Sequence, residues 1–371
     1  MSEDTSSAVA SWQGPGPADD EAEALLTEMV AIPSVSGDEG ALAQFLATTM
    51  EGLGYRAEVD AAGNAVGHVG AGGRHIVLLG HMDTVPGDVP VRREGRLLYG
   101  RGAVDAKGPL AAFIVAGARV AENLGARLTV IGAVEEEAAT SKGAYYAVGQ
   151  YRPEFCIIGE PSGWDRITIG YKGRLLIDYV LERAVSHTAG RERSPSEDAV
   201  DFWLHVAEWA EAYNRGKEGA FATVDPSLRR ICSGGDGLRE RVEMTIALRL
   251  PLGLHLPDLL NPLMETWARH PAGAARVVTR GHEAPFRAEK RTPLASAFLA
   301  AIRAEGGSPA YVTKTGTSDM NVVGPRWRCP IVAYGPGDSA YDHTPNERID
   351  LDEYLRGVRV LTRVLVRISD T

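Results

Sequence analysis

The strongest constraint on the fold is a series of apolar runs of strand length that alternate with helical patterns. Residues 75–80, 127–134 and 155–158 form such runs, and helical patterns occupy residues 109–123 and 142–150 between them. A continuous apolar run is typical of a strand that is buried on both faces. Alternation of such strands with helices predicts an α/β domain with helices on both faces of a mixed sheet.

The pattern changes after about Gly170 and changes back toward the C-terminus. Between these points, alternating apolar and polar residues predict strands with one open face, separated by amphipathic helices. We therefore predict an α/β domain of residues 19–170 and 285–371, interrupted by an inserted α+β domain of residues 171–284. Residues 1–18 are acidic and rich in Ser, Gly and Pro, and we expect them to form a disordered leader.

Composition argues against several classes of protein. The chain has 371 residues and a formal net charge of −10, with 39 Lys and Arg against 49 Asp and Glu, so it lacks the basic character of a nucleic-acid binder. No apolar run approaches the ~18 residues of a membrane span, and no signal peptide is recognisable. The three cysteines form no CxxC motif, so we expect a cytoplasmic protein without disulfide bonds.

Acidic residues and histidines follow the predicted strands where the strands end, and one further aspartate, Asp105, directly precedes a predicted helix. Taken singly, each has a simple structural explanation: a lone histidine can be structural, an aspartate can cap a helix, and three glutamates can form a solvated face. Together they are harder to explain in that way, because adjacent carboxylates repel one another unless cations hold them. The residues are His81, Asp83, Asp105, Glu135, Glu136, Glu137, Glu160 and His343.

Imidazole and carboxylate ligands suit zinc or cobalt, and pairs of metal ions about 3.5–4 Å apart are common in hydrolytic sites. One bridging carboxylate and two further ligands for each ion require five groups, which the strand ends supply. The motifs of serine hydrolases, P-loop proteins and HExxH metalloproteases do not occur in the sequence. The sequence therefore predicts a site for two divalent metal ions, either zinc or cobalt.

Five motifs occur in an order that resembles one family of metallopeptidases. GHMDTVPG, GRGAVDAKGPLAA, VEEEAATSKGA, GEPSG and DHTPNE are similar to motifs of acetylornithine deacetylase, succinyl-diaminopimelate desuccinylase and carboxypeptidase G. The stretches GYKGRLL, KTGTSDMNV and AYGPGDS most resemble the lysine and ornithine hydrolases that act on an amino-group carrier protein. The resemblance implies a catalytic α/β domain interrupted by a lid and dimerisation domain.

The resemblance also implies a role for each strand-end residue. One metal ion would be held by His81, Asp105 and Glu160, with Asp105 bridging to a second ion that Glu137 and His343 complete. Asp83 would orient His81, and Glu136 would be the general base. The glutamate triplet leaves a second alignment open, in which Glu135 is the base and Glu136 the ligand.

Residues in and near the inserted domain are implied to bind substrate. His187 matches a histidine that reaches across a homodimer to stabilise the oxyanion. Arg249, Lys314, Gly316 and Thr317 are candidates for binding the carboxylate of the substrate, because arginine can hold a carboxylate with two hydrogen bonds. Each also has a structural reading: Arg249 could be a solvated strand residue, and the loop near Gly316 a simple turn.

The implied function is hydrolysis of an amide that releases L-lysine or L-ornithine from a carrier protein or from an N-acyl derivative. An acidic carrier would require basic residues around the entrance to the substrate site, and the net charge of the chain neither supports nor excludes such residues. Acetylornithine deacetylase, succinyl-diaminopimelate desuccinylase and dipeptidase remain alternatives, since they share the metal ligands. A non-catalytic metal-binding or interaction protein is the alternative from a different class.

Overall fold

The computed structural model describes residues 12–187, 190, 192–268 and 275–369. The chain divides into two compact units. The larger unit comprises Met1–Gly170, Ala288–Thr313 and Ser318–Thr371, and the inserted unit comprises Tyr171–Arg287 and Lys314–Thr317.

The elements within the described residues are numbered in chain order. The helices are α1 (Asp19–Ala31), α2 (Gly40–Gly52), α3 (Lys107–Val120), α4 (Lys142–Gln150), α5 (Pro195–Asn214), α6 (Leu256–Ala268), α7 (Pro293–Ala304), α8 (Asp319–Trp327) and α9 (Leu351–Ser369). The strands are β1 (Arg56–Val59), β2 (Ala65–Val69), β3 (His75–His81), β4 (Arg92–Glu94), β5 (Leu97–Tyr99), β6 (Arg127–Ala133), β7 (Phe155–Gly159), β8 (Arg166–Tyr171), β9 (Gly173–Ala184), β10 (Asp225–Gly235), β11 (Arg239–Leu250), β12 (Arg276–Glu283), β13 (Phe286–Arg287), β14 (Ala310–Lys314), β15 (Ile331–Ala333) and β16 (Arg348–Asp350).

The main sheet of the larger unit has the strand order β1-β2-β6-β3-β7-β15-β8, and β14 pairs with β8. Strands β6, β3, β7 and β15 are parallel, whereas β1 and β2 form an antiparallel pair at one edge. Every residue of β3 and β7 is buried, so both faces of the sheet are covered there. The predicted α/β class with a mixed sheet is confirmed.

Two glycines bring the sheet close to helix α3. Gly80 of β3 lies opposite Gly159 of β7. A Cβ atom on Gly159 would lie 2.9 Å from Cε2 of Phe113 and 3.0 Å from the Cα atom of Gly80. A side chain here would therefore push α3 away from the sheet. Because His81 and Glu160 directly follow these glycines, the two side chains begin at the same level of the sheet.

The predicted leader is only partly within the described residues. Residues 1–11 lie outside them. Trp12 places its ring 4.7 Å from the Arg119 guanidinium of α3, and its backbone N–H donates to Asp19. Arg119 also donates to the carbonyl of Pro17 and to Asp19, so residues 12–17 are tied to both α1 and α3.

The inserted unit is a four-stranded antiparallel sheet in the order β10-β11-β9-β12. Alternate residues of β9 and β11 are buried, as the alternating sequence predicts. They form a separate core with apolar residues of α5 and α6. A capping box at Ser194, in which Glu197 and Ser194 bond each other's backbone N–H groups, starts α5.

Several polar or short elements were not predicted from the sequence. Strand β10 is long but almost wholly exposed, so it has no apolar pattern to reveal it. Strands β4, β5 and β16, each of three residues, form a small third sheet. Helix α8 contains Pro325, a residue that normally argues against a helix. Among the described helices, none is long and apolar enough to cross a membrane.

Candidate metal centre

The centre forms where three parallel strands end at one edge of the main sheet. His81 is the last residue of β3 and lies opposite Ala133, the last residue of β6. The glutamate triplet follows β6, and Glu160 follows β7. The carboxyl ends of strands in an open α/β sheet are the usual place for a ligand site. The topology therefore gathers residues that are far apart in sequence.

His81 is buried between two aspartates. Its Nδ1 atom lies 3.3 Å from Oδ1 of Asp83, and its Nε2 atom lies 3.3 Å from Oδ1 of Asp105. Burial alone would lower the pKa of His81, but the hydrogen bonds to Asp105 and Asp83 raise it well above the usual range. The imidazole thus lies where a positive charge is strongly favoured.

Asp83 binds the loop that carries the glutamate triplet. Its two carboxylate oxygens accept hydrogen bonds from the backbone N–H groups of Glu136 and Glu137, each at 3.0 Å. Ser36 donates to Oδ2 at 2.7 Å. Burial would raise the pKa of Asp83, but hydrogen bonds from His81 and Ser36 lower it, so the group is a carboxylate. Asp83 therefore fixes both His81 and the glutamate loop.

Asp105 is shared between the two histidines. Its Oδ2 atom lies 2.9 Å from Nε2 of His343, which lies 2.6 Å from Oε1 of Glu137. Hydrogen bonds to Asp105 and Glu137 raise the pKa of His343 to about 10. Despite burial, hydrogen bonds from His343 and His81 lower the pKa of Asp105. The aspartate occupies the position expected of a bridging ligand.

The three glutamates of the triplet point to different partners. Glu135 has a positive φ of 57° and binds Thr140 Oγ1 at 2.6 Å and Lys142 Nζ at 3.5 Å. Glu136 and Glu137 instead lie with His81. Burial raises the pKa of Glu136 well above its usual range, and the nearby carboxylates of Glu160 and Glu137 raise it further. The geometry thus brings the second and third glutamates, and not the first, into the cluster.

The cluster fits the donor set of a two-metal site. Potential ligand atoms of His81, Glu136 and Glu137 lie within 4.8 Å of one another, and so do those of Asp105, Glu137 and His343. Carboxylates and imidazoles at this spacing suit divalent ions such as zinc or cobalt. Among the described residues, neither three-residue group includes Glu160. That residue is buried, and its charge raises the pKa of Glu136.

Several supporting residues were not predicted from the sequence. Glu347 is buried and accepts hydrogen bonds from the backbone N–H groups of Val104 and Asp105, at 3.3 and 3.2 Å. Arg101 pairs with Glu347 at 2.6 Å and so fixes the loop that carries His343. The sequence feature that could have identified Glu347 is its position four residues after His343, within the motif DHTPNE.

The predicted substrate-binding residues lie in the inserted unit. Arg249, near the end of β11, donates from Nη1 to Oγ1 of Thr317 at 3.3 Å. The backbone carbonyl of Lys314 accepts a hydrogen bond from the N–H of Lys172. Gly316 is part of the same short loop, whereas His187 is exposed beyond the end of β9. The structure therefore brings Arg249 and Thr317 together.

Comparison with known proteins identifies the family. The model of peptidase family M20/M25/M40 matches residues 77–367, which include all of the clustered residues. The chain belongs to the M20 metallopeptidase family. The resemblance stated from the sequence motifs is confirmed.

Members of the M20 family that are similar to this chain include hydrolases with named substrates. A Deinococcus radiodurans protein named LysW-lysine hydrolase is 49% identical over 360 residues, which are 95% of this chain and 99% of the relative. A Saccharolobus solfataricus protein named LysW-lysine/LysW-ornithine hydrolase is 28% identical over 339 residues, covering 91% and 93%. The crystal structure of an M20 family metallo-carboxypeptidase from Sulfolobus solfataricus has a TM-score of 0.76 at 19% identity, covering 95% and 100%, and shares the fold.

Proposed function

We propose that this M20 family protein is a two-metal amide hydrolase that releases L-lysine or L-ornithine from a carrier protein. The observation that most supports this proposal is a pair of potential metal-ligand groups at the edge of the main sheet, which have Glu137 in common. The substrate is proposed from the names of the relatives, one of which is 49% identical over nearly its whole length. In this proposal the protein works in the cytoplasm, in keeping with its free cysteines.

The residues of the centre would hold two divalent ions, zinc or cobalt. His81, Asp105 and Glu160 would hold the first ion, and Asp105, Glu137 and His343 the second. Bound ions of this kind polarise an amide carbonyl and make water a better nucleophile at neutral pH. The geometry around Asp105, which lies between both histidines, supports its role as the bridge.

Glu136 is proposed as the general base. Its burial among carboxylates raises its pKa, so it holds a proton more strongly than an ordinary glutamate does. Its carboxylate would accept a proton from the attacking water and then donate that proton to the nitrogen of the leaving amine. The contacts of Glu135 with Thr140 and Lys142 favour this assignment over the alternative alignment.

Other residues are proposed to bind the substrate. Arg249, with Thr317 beside it, would hold the carboxylate of the released amino acid, helped by Lys314 and the N–H of Gly316. His187 would donate a hydrogen bond to the oxyanion from the second copy of a homodimer. Light scattering that shows a monomer at the assay concentration would remove this role of His187.

The decisive experiment measures release of free amino acid by metal-loaded protein. The panel contains carrier-linked lysine and ornithine, N-acetyl-lysine, N-acetylornithine, succinyl-diaminopimelate and simple dipeptides. Strong preference for a carrier-linked substrate would support the proposal. Preference for a free N-acyl amino acid or a dipeptide would be consistent with metal-dependent amide hydrolysis but would refute the carrier-linked substrate. Two bound metals without turnover of any substrate would favour a metal-binding protein.

A further inference from the structure

A groove on the larger unit lies between α7 and α9, two helices that pack against each other. Its volume is about 490 Å³, and its lining residues all belong to the larger unit. The apolar lining consists of Val366 from α9 and four small side chains from α7, those of Ala297, Ala300, Ala301 and Ala304. Small side chains leave room for an occupant that packs closely against the helix.

Arginines of α9 give this groove an excess of positive charge. Arg359, Arg363 and Arg367 line it at intervals of one helical turn. Among the described residues that line the groove, Glu305 is the one carboxylate. It accepts hydrogen bonds from Nε of Arg359 at 3.2 Å and from Nε of Arg363 at 2.7 Å. The groove therefore favours an occupant that carries negative charge.

The buried arginine of the groove has an unused donor. Arg359 is nine-tenths buried, and its Nη1 atom has no hydrogen-bond acceptor among the described residues. The nearest carboxylate, Oδ2 of Asp19, lies 3.6 Å away, and Asp19 also accepts a hydrogen bond from Arg119 at 2.8 Å. A buried donor without an acceptor costs free energy, so this atom indicates a further group that binds there.

The segment before Trp12 is attached to the chain beside this arginine. The ring of Trp12 lines the groove, and its backbone N–H donates to Oδ2 of Asp19 at 3.1 Å. The same oxygen lies 3.6 Å from Nη1 of Arg359, so the amide nitrogen of Trp12 and Nη1 are close neighbours. Residue 11 is joined to that nitrogen and therefore begins at the groove.

The sequence of this segment complements the groove. Residues 3–11 read EDTSSAVAS. Ala8, Val9 and Ala10 are small and apolar and come directly before the Trp12 end, whereas Glu3 and Asp4 are acidic and lie farther along. Nine extended residues reach about 30 Å, whereas α9 rises only about 12 Å from Arg359 to Arg367. The segment is thus long enough to pass all three arginines.

We propose that residues 3–11 bind in the groove between α7 and α9. Ala8, Val9 and Ala10 would pack against the alanines of α7, and Glu3 and Asp4 would pair with Arg363 and Arg367. A backbone carbonyl near the start of the segment would accept the hydrogen bond from Nη1 of Arg359. The segment would then tie α7 to α9, in contrast to the disordered leader that composition predicts.

The first experiment removes residues 1–11 and returns them as a synthetic peptide. Residues 12–17 remain, with their hydrogen bonds to Arg119 and Asp19. The truncated protein should bind the peptide with a Kd below about 1 mM, because a covalently attached segment has an effective concentration in the millimolar range. The full-length protein should bind the peptide at least about tenfold more weakly, since its own segment occupies the groove.

Charge reversal tests the register of the segment. In truncated protein, Arg367→Glu should weaken peptide binding about three- to tenfold, because an attractive contact becomes repulsive. A peptide with Glu3→Lys and Asp4→Lys should restore the binding. Arg303→Glu makes the same change of charge on α7 outside the groove and should leave the Kd within about twofold of its original value.

A second experiment uses the full-length chain. Ala300→Trp fills the groove, and Ala300→Ser is the matched control. Elastase, which accepts small residues, should cleave the chain at residues 8–10 at least about tenfold faster in Ala300→Trp than in wild type or Ala300→Ser. The reason is that cleavage follows the population of the released segment.

Absence of peptide binding by folded truncated protein would overturn the proposal, and so would equal elastase cleavage of wild type and Ala300→Trp. Light scattering in which wild type self-associates and Ala300→Trp does not would assign the groove to a second copy of the chain instead. None of these measurements uses amide hydrolysis, so their outcome is independent of the proposed function.

Discussion

Replacing Asp83 by asparagine tests whether one buried carboxylate organises the whole centre. Asp83 is fully buried, and it accepts hydrogen bonds from two backbone N–H groups and from Ser36. Asparagine keeps the shape but has a single acceptor oxygen. The NH₂ group of the asparagine would face the backbone N–H of either Glu136 or Glu137, and that backbone N–H would lose its hydrogen-bond acceptor. We therefore expect both the fold and the metal site to weaken.

The size of each effect follows from these contacts. One buried N–H without an acceptor costs about 1–3 kcal/mol of unfolding free energy. Loss of the residue that orients a ligating histidine typically weakens metal binding about 10- to 100-fold. Urea unfolding of the metal-free protein measures the first quantity, and calorimetric titration with zinc or cobalt measures the second.

Ser36→Ala is the matched control. It removes the 2.7 Å hydrogen bond to Asp83 but keeps the charge and both backbone contacts. We expect it to cost about 0.5–1.5 kcal/mol of unfolding free energy and to leave metal affinity within a few-fold of wild type. Wild-type metal affinity in Asp83→Asn would refute the reasoning, because His81 would then be oriented without Asp83.

Three further predictions concern the other residues of the centre. Glu136→Gln should keep both metal ions but lower kcat about 10²- to 10⁴-fold, as measured with metal-loaded protein. Glu137→Gln should weaken metal binding, and Glu135→Gln should keep both metal binding and kcat. Weakened metal binding in Glu136→Gln, together with a large loss of kcat in Glu135→Gln, would instead favour the alternative alignment. In metal-free protein, hydrogen bonds to Asp105 and Glu137 raise the pKa of His343 to about 10, whereas its pKa in the unfolded chain is about 6.5. The stabilisation by protonated His343 is therefore complete below about pH 6.5 and is lost as the pH rises through about 10. The unfolding temperature should therefore fall over this range, and His343→Ala should flatten the fall.

The sequence predicts the residues of the centre better than their contacts. His81, Glu137 and His343 could be named because they follow predicted strands, and Asp105 because it directly precedes a predicted helix. The motifs around all four also resemble those of a known family. The direction of the Glu135 side chain could not be predicted, because it depends on a positive φ angle and on Thr140. Such a backbone conformation has no signature in a run of identical residues.

The polar elements of the fold were also beyond sequence reasoning. Strand β10 is exposed along almost its whole length, so hydrophobic periodicity does not mark it. Its position comes instead from hydrogen bonds to β11, which has a clear alternating pattern. Glu347 was missed because residue type alone does not show that a glutamate is buried and binds backbone N–H groups; only its place within DHTPNE could have indicated this.

The two halves of the metal centre differ in their access to solvent. The side chain of His343 is 48% exposed, whereas that of His81 is 2% exposed. An ion held by His343 would be bound in part by a solvent-exposed side chain, whereas an ion held by His81 would be bound by a side chain that protein atoms cover. The two ions should consequently exchange at different rates. Brief treatment with a chelator would yield protein that retains a single ion, so activity and metal content need not fall together.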